Sequence, residues 1–132
     1  MKITIDTSAL LAVLLDEPEK SRLIDLTTGA TLIAPNSIAM EIGNALSNLL
    51  KRDKVSLKQA QSVFHAFADI PLQLAEISIE HSLEISHFAK IYAYDAYMIV
   101  CALEHRCPLL SLDRGLLEAA KKCKCKTIEV NT

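Results

Sequence analysis

Glycine is scarce in this chain of 132 residues, with three in all, at 29, 43 and 115. Neither a phosphate-cradling loop nor a dinucleotide-binding fingerprint can be written with so few, because each needs closely spaced glycines. Four cysteines, at 101, 107, 123 and 125, supply neither the C-x2-C pairs of a zinc knuckle nor the density of a disulfide scaffold. Reduced thiols without a metal are expected. Four histidines, at 65, 81, 87 and 105, share no ligand spacing with one another or with the cysteines, and no catalytic role is assigned to them. Unbroken apolar stretches such as Ala9 to Leu15 fall far short of the roughly 18 residues that argue for a membrane span. The amino terminus, Met-Lys-Ile-Thr-Ile-Asp, lacks the apolar region and cleavage site of a signal peptide, so a cytoplasmic location without membrane contact is the expectation. Nor does either sign of charge dominate. Fourteen basic against 16 acidic residues leave a net charge of −2, which argues against coating nucleic acid through bulk positive charge but permits a local basic surface.

What is present is apolar residue in quantity. At 51% hydrophobic and 23% charged, the chain can bury a full core, which excludes intrinsic disorder, and its length suits one domain over 1–132. Short β-branched runs alternate with longer helical patterns, the signature of an α/β fold. Strands are predicted at Lys2 to Ile5, Thr31 to Ala34, Pro71 to about Ala75 or Ile77, Leu109 to Leu112 and Thr127 to Val130. A helix capped by Thr7 or Ser8 is predicted through Leu15, a second from Pro18 to about Thr28, and an amphipathic third from Asn36 to near Asp53. Ser56 caps a fourth; Ile79 to Ala93 is the next, Asp95 opens or interrupts another through Leu103, and a last follows Gly115. Five strands joined by crossover helices imply a three-layer sandwich, a mostly parallel sheet flanked by helices. Ligands of such open sheets gather beyond the carboxyl ends of the strands.

Two carboxylates fall at that rim: Asp6 follows the first strand and Asp113 the penultimate one. Either alone reads as a helix cap; two in one sheet suggest more. Glu41, within the first two turns of the helix after the second strand, comes near the same rim, and Asn44 and Asn48 continue its polar line. Asp95 sits between otherwise apolar residues, an unusual place for a merely decorative charge. If the four converge, each like-charged pair at about 4 Å costs roughly 4 kcal/mol at an effective dielectric near 20, and a counter-charge is required. Oxygen donors without histidine or cysteine select Mg²⁺ or Mn²⁺ over zinc, and such acidic cages serve phosphate chemistry.

In order and spacing over essentially the whole chain, Ile5-Asp6-Thr7-Ser8, Glu41-x-x-Asn44, Tyr94-Asp95-Ala96 and Leu110-Ser111-Leu112-Asp113 resemble a PIN domain, and the compact size resembles the VapC-type toxins of toxin–antitoxin pairs. The resemblance implies a Mg²⁺-dependent endoribonuclease, with Asp6, Glu41, Asp95 and Asp113 as the catalytic and metal-binding quartet and Mn²⁺ as a substitute. It implies supporting roles for Thr7, Ser8 and Ser111 as hydrogen-bond donors around the carboxylates, and for Asn44 in orienting Glu41 or touching the RNA backbone. It implies, too, a homodimer and a cognate antitoxin partner. Alternatives are a PIN-fold RNA-binding or interaction module without nuclease activity, and a solitary RNA-processing nuclease.

Basic residues cluster at Lys51, Arg52, Lys54 and Lys58 and again from Arg106 to Lys126. Arg114, beside Asp113, is the candidate to hold an RNA phosphate. Tyr92, Tyr94 and Tyr97 could stack bases, although packing is the expected role of Tyr92 and Tyr97.

Overall fold

A computed structural model describes residues 1–130. It forms strands β1 (Lys2–Ile5), β2 (Thr31–Pro35), β3 (Leu72–Ala75), β4 (Leu109–Leu110) and β5 (Thr127–Ile128). Between them run helices α1 (Thr7–Leu14), α2 (Lys20–Thr27), α3 (Ile38–Lys51), α4 (Leu57–Ala68), α5 (Ile79–Ala89), α6 (Ala93–Glu104) and α7 (Arg114–Lys122). The sheet order is β3-β2-β1-β4-β5, and every pairing is parallel. The chain first winds outward from β1 through β2 to β3 and then returns to the other side of β1 for β4 and β5. A crevice opens at the carboxyl end wherever winding reverses in this way, here between β1 and β4.

β1 is buried along Ile3, Thr4 and Ile5, as a central strand covered on both faces must be. Ile3 and Ile5 join Ala9 and Leu10 of α1 and Ile38, Ile42 and Leu46 of α3 in the larger core cluster. A smaller cluster gathers Ile33 of β2, Ala75 of β3, Cys101 of α6 and Cys107. Thr4 reaches this second group: its hydroxyl lies 3.1 Å from the Cys107 sulfur and donates to Cys101 Sγ at 3.8 Å. All four cysteines are free thiols. Burial pushes the Cys101 and Cys125 thiols up to about 11.

Several ends differ from the expectation. The cap of α1 is Asp6, whose side chain accepts from the Ala9 backbone N–H, and not Thr7 or Ser8. α5 stops at Lys90, which adopts a left-handed conformation (φ 56°), so α5 and α6 are separate helices and Asp95 lies inside the first turn of α6. β4 pairs over two residues only, and Ser111 and Leu112 leave the ladder, Ser111 turning its hydroxyl to Asp6.

Candidate active site

The local sequence sets each carboxylate in place. Asp6 ends β1 and caps α1, and Asp113 follows β4 and caps α7, accepting from the Leu116 N–H at 3.1 Å. A side chain at Gly115 would come within 3.3 Å of Asp113 Oδ1, so the bare backbone there leaves that carboxylate room. Glu41 is in the first turn of α3 and Asp95 in the first turn of α6. Helix N-termini favour negative charge, so all four acids stand where the backbone offsets part of their cost.

Asp6 is the most enclosed of the four, with 4% of its surface exposed. Ser8 Oγ donates to it at 2.8 Å and Ser111 Oγ at 2.6 Å. The same two hydroxyls accept backbone N–H groups from the loop after β4, Ser8 from Leu112 and Ser111 from Asp113. They therefore tie the β4–α7 loop to the end of β1. Glu41 is buried and accepts from Ser37 Oγ at 2.9 Å. Burial holds the Asp6 carboxyl above its ordinary value against the opposing hydrogen bonds from Ser111, Ala9 and Ser8, and the charge of Asp113 adds to the rise. Burial likewise pushes Glu41 up to about 7, with Asp6 and Asp95 contributing repulsion and Ser37 opposing it. Asp95 is raised by burial and by Asp113.

One cavity of about 300 Å³ is lined by Asp6, Glu41, Asp95 and Asp113 together with Thr7, Ser8, Leu11, Ala45, Met98 and Leu116. Four acids from four separate segments thus meet at the crevice. Over residues 3–122 the sequence matches the family model described as PIN domain. The chain belongs to the PIN domain family. Among curated proteins no sequence matches it.

Solved structures share this PIN fold. A crystal structure from Pyrobaculum aerophilum superposes with a TM-score of 0.73 at 20% identity, covering 98% of this chain and 84% of the other. VapBC2 from Rickettsia felis, bound to a DNA fragment from its promoter, gives 0.70 at 12% identity over 99% and 100% of the two chains. Mycobacterium tuberculosis VapC20, described as a sarcin–ricin loop cleaving toxin, gives 0.64 at 12% identity over 89% and 94%. At such identities the likeness speaks for the fold.

Of the nine candidate residues, Asp6, Thr7, Ser8, Glu41, Asp95 and Asp113 line the PIN cavity, and Ser111 touches it through Asp6. Asn44 and Arg114 do not. Asn44 is exposed on α3, one residue before the lining Ala45, and Arg114 faces a separate cavity with Glu19, Glu118, Lys121 and Glu129. Ser37 was outside the candidate set, although its spacing four residues before Glu41 places it on the same helical face.

The donor chemistry suits a hard divalent cation: carboxylate oxygens predominate, with the Thr7 and Ser8 hydroxyls beside them. The spacing is not closed around an ion, since among the described residues no group of three or more His, Cys, Asp or Glu side chains is gathered to hold one.

Proposed function

We propose that the protein is a divalent-metal-dependent endoribonuclease, hydrolysing RNA phosphodiester bonds as the toxin of a type II toxin–antitoxin pair. The observation that carries this reading is the convergence of Asp6, Glu41, Asp95 and Asp113 on one cavity at the switch point of a PIN domain. Those four side chains would hold Mg²⁺, or Mn²⁺ in its place. The ion, when bound, supplies positive charge to the scissile phosphate and lowers the pKa of a water.

The remaining work belongs to the chain. Ser8 and Ser111 hold Asp6 in one rotamer by donating to its carboxylate, so its free lone pairs face the cavity. A carboxylate of the four that is not engaged with the ion would orient or deprotonate the attacking water, and Glu41, facing the cavity, is placed for that role. Ser37 fixes the orientation of that carboxylate. Asp95 and Asp113 complete the negative wall, which only a cation can make hospitable to phosphate.

The toxin reading is supported by structural neighbours that are themselves toxin–antitoxin assemblies, among them VapBC2 and a complex from Klebsiella pneumoniae. By that analogy the protein forms a homodimer and binds a cognate antitoxin in the cytoplasm. The test is cleavage of mixed RNAs with Mg²⁺ or Mn²⁺ by wild type, Asp6→Asn and Asp113→Asn. Cleavage confined to the wild type and lost with a chelator is expected; equal cleavage by all three proteins overturns the active-site assignment.

A further inference from the structure

Beside the acidic cavity lies a second one of about 240 Å³, lined by Asn36, Ser37, Ile77, Ile79, Tyr94 and Tyr97. Two of these residues connect it to the acids. Ser37 donates to Glu41 at 2.9 Å, and Tyr94 immediately precedes Asp95 on α6. The lining carries no charged side chain, in contrast to the cavity of Arg114, Lys121 and their three glutamates. It is aromatic and apolar with a few hydrogen-bonding groups, the composition that selects flat neutral ligands.

The tyrosines are placed to receive such a ligand. Their rings meet edge to face, with centroids 5.8 Å apart and planes at 71°. Tyr97 is half-buried, whereas Tyr94 leaves 44% of its surface exposed and Ile79 leaves 55%. Tyr97 is paired edge to face with Tyr94, and Tyr94 keeps nearly half of its surface open to solvent. Asn36 is anchored at the end of β2 by its backbone N–H, which donates to the Ala75 carbonyl at 2.8 Å, and its exposed side-chain amide offers both a donor and an acceptor. At this volume the cavity falls below the roughly 300–1,000 Å³ of pockets for drug-sized molecules, so it suits one ring system and not a whole nucleotide.

We propose that this cavity is a nucleobase subsite, in which one base of single-stranded RNA, next to the scissile phosphate, stacks on Tyr94 while Asn36 hydrogen-bonds its edge. The proposal rests on the ribonuclease reading above and adds to it how the substrate is gripped. Single-stranded RNA is commonly held by aromatic stacking of unpaired bases together with hydrogen bonds to their edges. Here the lining is tied to the acids that would engage the phosphate through the Ser37–Glu41 hydrogen bond and the Tyr94–Asp95 linkage, which favours RNA over a protein side chain as the occupant. Tyr94 is thereby a substrate-binding residue and Tyr97 a positioning residue behind it.

The experiment is steady-state cleavage of a single-stranded RNA in Mg²⁺. Tyr94→Leu is expected to lose about tenfold or more in kcat/KM, chiefly through KM, and Tyr94→Phe to stay within about twofold of wild type. Asn36→Ala is expected to alter base preference at one position beside the cut. Placing an abasic ribose at that position is expected to cost the wild type a similar factor and Tyr94→Leu nothing further. Should Tyr94→Leu not fold, Asn36→Ala and the abasic series on wild type decide the question. Wild-type cleavage that is unaffected by Tyr94→Leu, or losses from mutation and abasic site that multiply, overturn the subsite and leave the nuclease reading standing. Normal cleavage by Tyr94→Leu with escape from inhibition by a protein partner assigns the cavity to that partner and also overturns the proposal. A wild type that cleaves no RNA removes the nuclease reading and the subsite with it.

Discussion

Ser111 accepts the Asp113 backbone N–H and donates to Asp6, so truncating it acts on two of the four acids at once. Ser111→Ala leaves a buried carboxylate short of its strongest opposing hydrogen bond. We expect a stability loss of about 1–3 kcal/mol in urea unfolding, a further rise in the Asp6 pKa, and an acidic limb of the pH–rate profile displaced to higher pH. Glu41 gives the clearest pH dependence. Its carboxyl titrates at about 7 in the folded ion-free protein against 4.5 ordinarily, so between those values the folded state binds more protons than the unfolded one. Stability of the ion-free protein therefore falls as pH rises from 5 to 8, in the same direction as the raised Asp6 and Asp95 demand. Solvent screening trims the Glu41 share to roughly 1–2 kcal/mol. Thermal melts at both pH values check this, and Glu41→Gln should reduce the difference while leaving the share of Asp6 and Asp95. The four acids were legible because strand ends and helix starts can be read from periodicity. Ser37 was legible in its four-residue spacing to Glu41, whereas the neighbouring tyrosine cavity was not, since it depends on how α3, α5 and α6 approach one another.

Helix ends show where local sequence and tertiary packing part. Thr7 and Ser8 carry good capping chemistry, but Asp6 takes the cap because β1 delivers it first and its side chain reaches the Ala9 N–H. At α4 the local signal is unambiguous: Ser56 and Gln59 form a reciprocal capping box. Ser56→Ala should cost about 1 kcal/mol, measurable by denaturant unfolding, with cleavage unaffected. The break between α5 and α6 was expected near Asp95 and falls at Lys90; the earlier stop was not readable because the chain turns at a lysine in place of the usual glycine. Lys90 is exposed in a left-handed conformation, so Lys90→Gly should raise stability by roughly 0.5–1 kcal/mol. The shortness of β4 had the same cause as its importance: Ser111 points its hydroxyl at Asp6 instead of extending the strand.

At the scale of the molecule, alternation of strand and helix patterns carried the α/β class and the parallel sheet, and crossover chemistry left little choice of handedness. The order β3-β2-β1-β4-β5 was not readable, since any strand of similar burial can neighbour β1 until the helices are packed. That order places the ends of β1 and β4 side by side, and with them Asp6, Ser111 and Asp113. A cation bound there should stabilise the whole sheet by mass action, by about 2.7 kcal/mol at a hundredfold excess over Kd. Mg²⁺ titrated during thermal melts should raise Tm at pH 8 and less at pH 5, where Glu41 holds its proton.

The thiols beneath that crevice make the protein its own stopwatch. Cys101 and Cys125 are buried and resist deprotonation, and the Cys107 sulfur adjoins the Thr4 hydroxyl on the central strand, while Cys123 is partly open to solvent. An alkylating reagent should mark Cys123 first and the other three only when the helices open from the sheet, because thiolate and access are both required. The lag between first and later adducts, followed by mass spectrometry, times the opening of the helix–sheet packing without any added label.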